Sequence, residues 1–412
     1  METSYDAAIV GGGVAGGAMA TVLARAGHSV LVLEKSTVYR DLVRGEWIAP
    51  WGCLEANRTG LFDTLFAAGG HHPVRHVEYG AGIDPTEAEA ASLDMTVFLP
   101  GIPGPLCIGH PAACDALNVS ATAAGATVLR GVEDVRVQAG PSPSVTYLHD
   151  GAEQTAKARL VIGADGRNSS VRRQLGIGLE RGEPHHFFSG MLVEGAEDWP
   201  EDVQTMGSEG DVQFLAFPQG GGRVRLYMSY ALHQKSRLSG EAGPRNFLEA
   251  FKLKSVPRSE VLANARVAGP CNSIPNEDAW IERPYVEGAV LIGDAAGYND
   301  PIIGQGLSIT LRDVRVVSEL LLASEQWHAG LFDAYAEERA ERMRRLRFCA
   351  EVDSIVHAEF TEGAHRRRLA VRTKRASDPA FLLGLAAVMI GPEMLPPQVF
   401  SDEIKRELVA MA

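Results

Sequence analysis

The opening segment YDAAIVGGGVAGGAMATVLARAGHSVLVLEK, residues 5–35, admits few folds. An apolar strand from Ala7 to Val10 runs into Gly11-x-Gly13-x-x-Gly16. A helix follows to about Ala26, and Gly27 can take the left-handed turn that ends it. A second apolar, β-branched strand then ends in Glu34. This is a βαβ unit with glycine at the tight turn, at the close approach to a pyrophosphate and at the helix–strand contact. The free N–H groups and dipole of a helix N-terminus suit phosphate. The expected dinucleotide site is Gly11, Gly13, Val14, Ala15 and Gly16, with Glu34 and its neighbour Lys35 at the ribose. A carboxylate at Glu34 favours a ribose 2′-OH over a 2′-phosphate. The loop alone does not separate NAD from FAD.

The remainder of the 412 residues adds no second fingerprint. QGGGRV, residues 219–224, lies between two strand-like runs and reads as a hairpin loop. Asp150-Gly151 is another hairpin signal. ARLVIGADG then reads as a buried strand entering a turn, and residues 185–232 alternate as antiparallel sheet. Late in the chain AVLIGDAAGYNDPIIGQGLS, residues 289–308, forms a second glycine-rich strand-to-helix turn carrying one carboxylate, Asp294. The sequence is helical beyond about Leu307, and AYAEERAERMRRLRFCAEV is expected to present its charges to solvent in i,i+4 pairs.

A net charge of −13 argues against nucleic acid or an anionic membrane as a partner. Five scattered cysteines form no metal or disulfide pattern and fit a reducing cytoplasm. No basic leader precedes the first strand, and FLLGLAAVMIG, residues 381–391, is too short to span a bilayer and reads as a buried helix. The expected fold is α/β. A Rossmann-like domain (residues 1–80, 106–180 and 281–330) is interleaved with an antiparallel-sheet substrate domain (81–105 and 181–280), followed by a helical region (331–412).

Three motifs together, GGGVAGG with Glu34, GADGRNSSVR (163–172) and GDAAGYNDPIIGQGLS, resemble the fingerprints of class A FAD-dependent monooxygenases of the para-hydroxybenzoate hydroxylase type. Residues 44–69 and 110–128 are similar to two further segments of that family. The resemblance implies non-covalent FAD, with Asp294 on the ribitol chain and Gly304, Gln305 and Gly306 beside the flavin ring, where main-chain N–H groups stabilise negative charge. It places Arg44, Asp165 and Arg167 at flavin phosphate or at a transient NADPH or NADH site. The implied cycle reduces FAD with NAD(P)H, adds O2 at flavin C4a and hydroxylates an electron-rich substrate through the hydroperoxide. Many members carry histidine where Gly297 stands, whereas some reductases of the superfamily carry glycine. A flavoprotein reductase or dehydrogenase acting on an isoprenoid-like substrate is therefore the alternative. A two-component or halogenase-like enzyme and a non-catalytic flavin-binding protein rank below it.

For substrate, the sheet offers an aromatic set: His186, Phe188, Phe214, Phe217 and Tyr227, joined by Tyr298. Such a lining fits an aromatic or hydrophobic small molecule. Catalytic candidates are Tyr298, Asn299 and Asp300, which follow the late turn, and His186 as a base. No metal site is expected, and a homodimer is left open.

Overall fold

The computed structural model describes residues 3–378 and 383–411. The first sheet has the order Tyr285–Val286, Ala289–Leu291, Ala152–Gly163, Thr3–Val10, Val30–Glu34, Thr127–Arg130. Its central pairs are parallel. Parallel strands are covered on both faces, and Val30–Glu34 is buried at every position. Helices Val14–Arg25, His110–Ala123 and Gly306–Leu322 cover one face and share its core. Gly17 permits the closest of these contacts, since a Cβ there would lie 3.0 Å from Leu117 Cβ. The hairpin at Asp150-Gly151 forms with φ of 51° and 75°, the positive pair a tight two-residue turn requires.

The second sheet is built from His186–Glu194, Val224–Ala231, Val212–Pro218 and Val203–Glu209 in antiparallel succession. Arg75–Gly80 then adds in parallel to Val203–Glu209. The sequence-based boundary at residue 80 therefore falls one strand late. Arg75–Gly80 carries no alternation strong enough to show which sheet it joins. One face of this sheet packs on helices Gly243–Ala250 and Ser259–Ala263 through Phe187, Phe214, Met228 and Tyr230. The other turns Phe188, Leu215 and Tyr227 toward the first sheet.

The C-terminal region is helical: Asp333–His357, Glu362–Ser377, Leu383–Ile390 and Asp402–Ala410. The charged helix Asp333–His357 forms the expected i,i+4 pairs Glu338–Arg342 and Glu341–Arg345, but two of its charges turn inward instead of to solvent. Arg339 and Arg342 are each 2% exposed and both reach Asp313, itself fully buried. A partner on another helix lets a charged turn face inward. Of the apolar run 381–391, residues 381–382 lie outside the described residues. Ala387, Val388 and Met389 of the same run pack into a core with Trp47, Trp51 and Met343. Among the described residues no helix is long and apolar enough to cross a membrane.

Candidate functional site: a flavin cleft continuous with a second pocket

One cavity of about 1540 Å³ runs between the two sheets and the C-terminal helices. That exceeds the roughly 300–1,000 Å³ of a usual small-molecule site, so it has room for a large cofactor and a second molecule. Gly11, Gly13, Val14 and Ala15 line one end with Glu34 and Lys35. Gly11 has φ +100°, and a Cβ on it would meet Ala164 O at 2.5 Å. A Cβ on Gly16 would meet Gly11 O at 1.8 Å, so Gly16 is a packing residue outside the lining. A Cβ on Gly13 would meet nothing within 4 Å, which makes it the open side of the cradle. The helix beginning at Val14 has no side-chain cap and no acidic residue in its first turn. Its N–H groups are therefore available to an anion. Glu34 accepts from Gly12 N–H at 2.6 Å and Ser36 N–H at 2.7 Å, which fixes the carboxylate and leaves a lone pair on each oxygen.

The late turn is a short 3-10 segment, Gly293–Ala296, that places Asp294 on the cavity wall. Arg167 donates to Asp294 at 3.3 Å and lies over the Tyr298 ring, 4.5 Å from its centroid. Asp165 also lines the cavity, but its carboxylate accepts from Ser169, Ser170 and Val171 and so braces the helix Ser170–Gln174. Arg172 is buried and donates to Ala295 O at 3.2 Å, tying the two turns together. Arg44 is exposed on the cavity rim. Gly297 has φ +105°, and a Cβ would meet Ala279 O at 2.6 Å. This backbone and the close approach of Ala279 O account for glycine at this position.

Past the turn, Gly304 adopts φ +65° against Trp47, whose ring a Cβ would approach to 3.1 Å. The Gly304 N–H is taken by Pro301 O at 2.9 Å, so the donors at this helix start are those of Gln305 and Gly306. No side chain caps the helix Gly306–Leu322, and a Cβ on Gly306 would meet nothing within 4 Å. The Gln305 side chain points away, accepting from Trp51 Nε1 at 2.7 Å. The two open glycine positions, the two uncapped helix starts and the carboxylates between them fit a dinucleotide ending in a flat ring.

The sheet wall facing this place holds Phe188, Leu215, Phe217 and Tyr227. Two residues expected there lie elsewhere. Phe214, 1% exposed, belongs to the opposite face, because residues three apart on a strand cannot share a side. His186 has the right parity but lies behind the late loop, where Asn276 Nδ2 stands 3.0 Å from its Nε2 and Asp300 Oδ1 3.6 Å away. Burial pushes His186 down to about 3 and the Asp300 carboxyl up to about 7. Asp300 caps Pro301–Ile303 and accepts from Asn276 at 3.0 Å, outside the lining. Tyr298 lines the cavity with its ring, while its hydroxyl donates to Glu277 at 3.0 Å. Asn299 lines the cavity and donates to Asp300 O at 2.9 Å.

Residues 4–347 match the model of a family described as FAD binding domain. The chain belongs to that family. It is a flavoprotein enzyme of the FAD-dependent monooxygenase type, with the class A fold. It is 28% identical over 352 residues to digeranylgeranylglycerophospholipid reductase 2 of Methanothermobacter thermautotrophicus, covering 82% of each chain. It is 27% identical to rifampicin monooxygenase of Streptomyces venezuelae, covering 81% of this chain and 68% of the other. Its fold matches p-nitrophenol 4-monooxygenase of Pseudomonas putida with a TM-score of 0.78 at 18% identity, covering 99% of both chains.

Sequence reasoning missed the clamp that holds the flavoprotein's late turn. Arg339 donates to Ala296 O at 2.7 Å, Gly297 O at 2.8 Å and Gly293 O at 3.2 Å, and to Asp313 at 3.0 Å. Asp313 in turn accepts from Gly293 N–H at 2.9 Å. The one local hint was an aspartate on the apolar side of the helix after the turn, seven residues past Gly306.

Proposed function

We propose that this enzyme is a single-component monooxygenase that inserts oxygen into an aromatic or other electron-rich hydrophobic molecule, using NADPH or NADH and O2. The observation that carries the reading is the aromatic wall of Phe188, Phe217 and Tyr227 opposite the Trp47–Gly304 place for a ring. Bound FAD would supply electron transfer from the nicotinamide and activation of oxygen. The chain supplies the rest. Gly13, Val14 and Ala15 would hold the pyrophosphate at an uncapped helix start, Glu34 the ribose and Asp294 the ribitol. The N–H of Gly306, on the cavity wall at the second uncapped helix start, would stabilise negative charge on the ring. Phe188, Leu215, Phe217 and Ile303 exclude water from the reacting face. Arg44, exposed on the rim, is the best placed of the predicted residues to meet a transient dinucleotide. Arg167 would first have to leave Asp294, and the carboxylate of Asp165 is occupied by its own turn.

A reductase acting on an unsaturated substrate is the second reading, favoured by the likeness to the archaeal reductase. Purified holoprotein, NAD(P)H and a panel of phenols and fused aromatics under 18O2 separate the two. Monooxygenation consumes oxygen and leaves one labelled atom in the product. Substrate-dependent NAD(P)H oxidation with no oxygen uptake would assign the reductase.

A further inference from the structure

The cavity continues past the aromatic wall. Besides Gln204 and Met206, its wall includes polar side chains from three elements, two of them C-terminal helices. These are His76 and Glu78 of Arg75–Gly80, Asp353 and His357 of Asp333–His357, and Arg372 and Arg375 of Glu362–Ser377. Arg372 and Arg375 are half-buried and, like the buried Arg172, make no hydrogen bond to a carboxylate among the described residues. Arg225, Arg312, Arg315, Arg339 and Arg342 each hydrogen-bond a carboxylate. Arg372 instead donates to the main-chain carbonyl of Glu78 at 3.3 Å. Arg375 stands 3.7 Å from the Glu78 carboxylate, beyond hydrogen-bond length.

The local charge is unbalanced in the same direction. Burial pushes the carboxyl of Asp353 up to about 7, so it is only partly ionised near neutrality. Burial raises Glu78, but the charged groups around it, Arg375 and Arg372 among them, bring it below its ordinary value, so it is ionised. Burial holds His76 and His357 down to about 4, hence neutral. Two guanidiniums thus face one full carboxylate charge and part of another. A sheltered cation without a hydrogen-bonded counter-ion is unfavourable, and a planar carboxylate from a ligand is the complement that guanidinium geometry accepts best.

We propose that this polar stretch of the wall is an acid-recognition subsite: the substrate is an apolar, aromatic body ending in a carboxylate, the body against Leu215, Phe217 and Tyr227 and the carboxylate on Arg372 and Arg375. The inference rests on reading the cavity as the substrate's, and it names the substrate class.

The test is binding to the FAD-loaded protein, read as perturbation of the flavin absorption band. The probes are benzoate, 3-phenylpropionate and 5-phenylpentanoate, each beside its primary amide, at fixed ionic strength. For at least one chain length the acid should bind roughly tenfold or more tighter than its amide. Arg372→Gln with Arg375→Gln should abolish that preference at unchanged FAD content, and Arg375→Lys should keep most of it. If the double variant loses flavin, each single Gln variant is read in the same way. No preference for any acid in the wild type, or a preference that survives both Gln substitutions, overturns the proposal. So does a double variant that weakens NADPH binding while leaving the acid preference intact, because the arginines would then serve the dinucleotide. Oxygen uptake is followed separately. Its absence with every phenol and fused aromatic of the 18O2 panel defeats the monooxygenase reading and leaves the acid preference standing on its own.

Discussion

Replacing Arg339 by methionine should damage this protein more than any exposed charge change, and the size of the effect follows from its bonds. Methionine keeps an unbranched stem in the same space but offers no donor. Three buried carbonyls, Gly293, Ala296 and Gly297, each lose an N–H partner. An orphaned buried acceptor costs about 1–3 kcal/mol before relaxation. Asp313 loses one of its cationic partners but keeps Arg342 at 2.7 Å and Gly293 N–H at 2.9 Å, so its charge is still compensated. The loss should total about 3–6 kcal/mol, a large part of the roughly 5–15 kcal/mol that separates folded from unfolded domains. Because the carbonyls belong to the turn that carries Asp294, FAD affinity should fall with it. Urea unfolding of flavin-stripped protein measures the first effect and flavin-fluorescence titration the second. Arg339→Lys should recover only part of both, since an ammonium has three donors for four acceptors. A methionine variant within about 0.5 kcal/mol of wild type, binding FAD equally well, would refute the idea that the C-terminal helix holds the cofactor turn.

Asp294→Ala should raise the FAD dissociation constant on the order of ten- to hundred-fold, through loss of a charge-assisted contact of roughly 1.5–3 kcal/mol, with little change in urea midpoint for the stripped protein. Phe214→Ala should cost about 3–5 kcal/mol in stability and leave the affinity of aromatic probes unchanged, whereas Phe217→Ala should do the reverse; equal effects on both readouts would mean the face assignment is wrong. The carboxyl of Asp300 rises from its usual 3.8 to about 7 on folding, so the folded chain holds a proton that the unfolded chain has already released. Its contribution to stability is complete below about pH 4 and is lost as pH rises through 7, by at most about 4 kcal/mol. Asp300→Asn can keep the bonds from Asn276 and Ile302 to the Oδ1 position. The stability difference between variant and wild type should grow in the variant's favour from pH 4 to 8, and a flat difference would show that Asp300 is ionised in the folded protein.

The cofactor half was legible because its constraints are local. Gly11, Gly13 and Gly16 are dictated by one turn, and Glu34 by the strand that follows. The phase of the sheet was legible too, yet Phe214 and Phe217 were grouped by aromatic character although their spacing of three puts them on opposite faces. Arg339 and Arg342 could not be told from their surface neighbours, since nothing near them names Asp313, which lies 26 and 29 residues earlier on another helix. The polar stretch of the cavity wall was beyond reach for the same reason. Glu78 and Arg372 are 294 residues apart, and neither is unusual in its own segment.

The order of strands in the first sheet has a consequence for how the chain is made. Thr3–Val10 leaves the ribosome first, but its central partner Ala152–Gly163 follows about 150 residues later, and that strand then waits for Ala289–Leu291. At roughly 5–20 residues per second, the last of these arrives some 15–60 s after the first. Until then a nascent chain carries apolar strands with an open edge, a template for pairing with its neighbours. Slower translation or a lower growth temperature should change the yield of yellow protein more than the melting point of what is recovered. Fragments ending before residue 285 should not collect flavin at all, because the sheet's far edge and the turn that follows it are synthesised together.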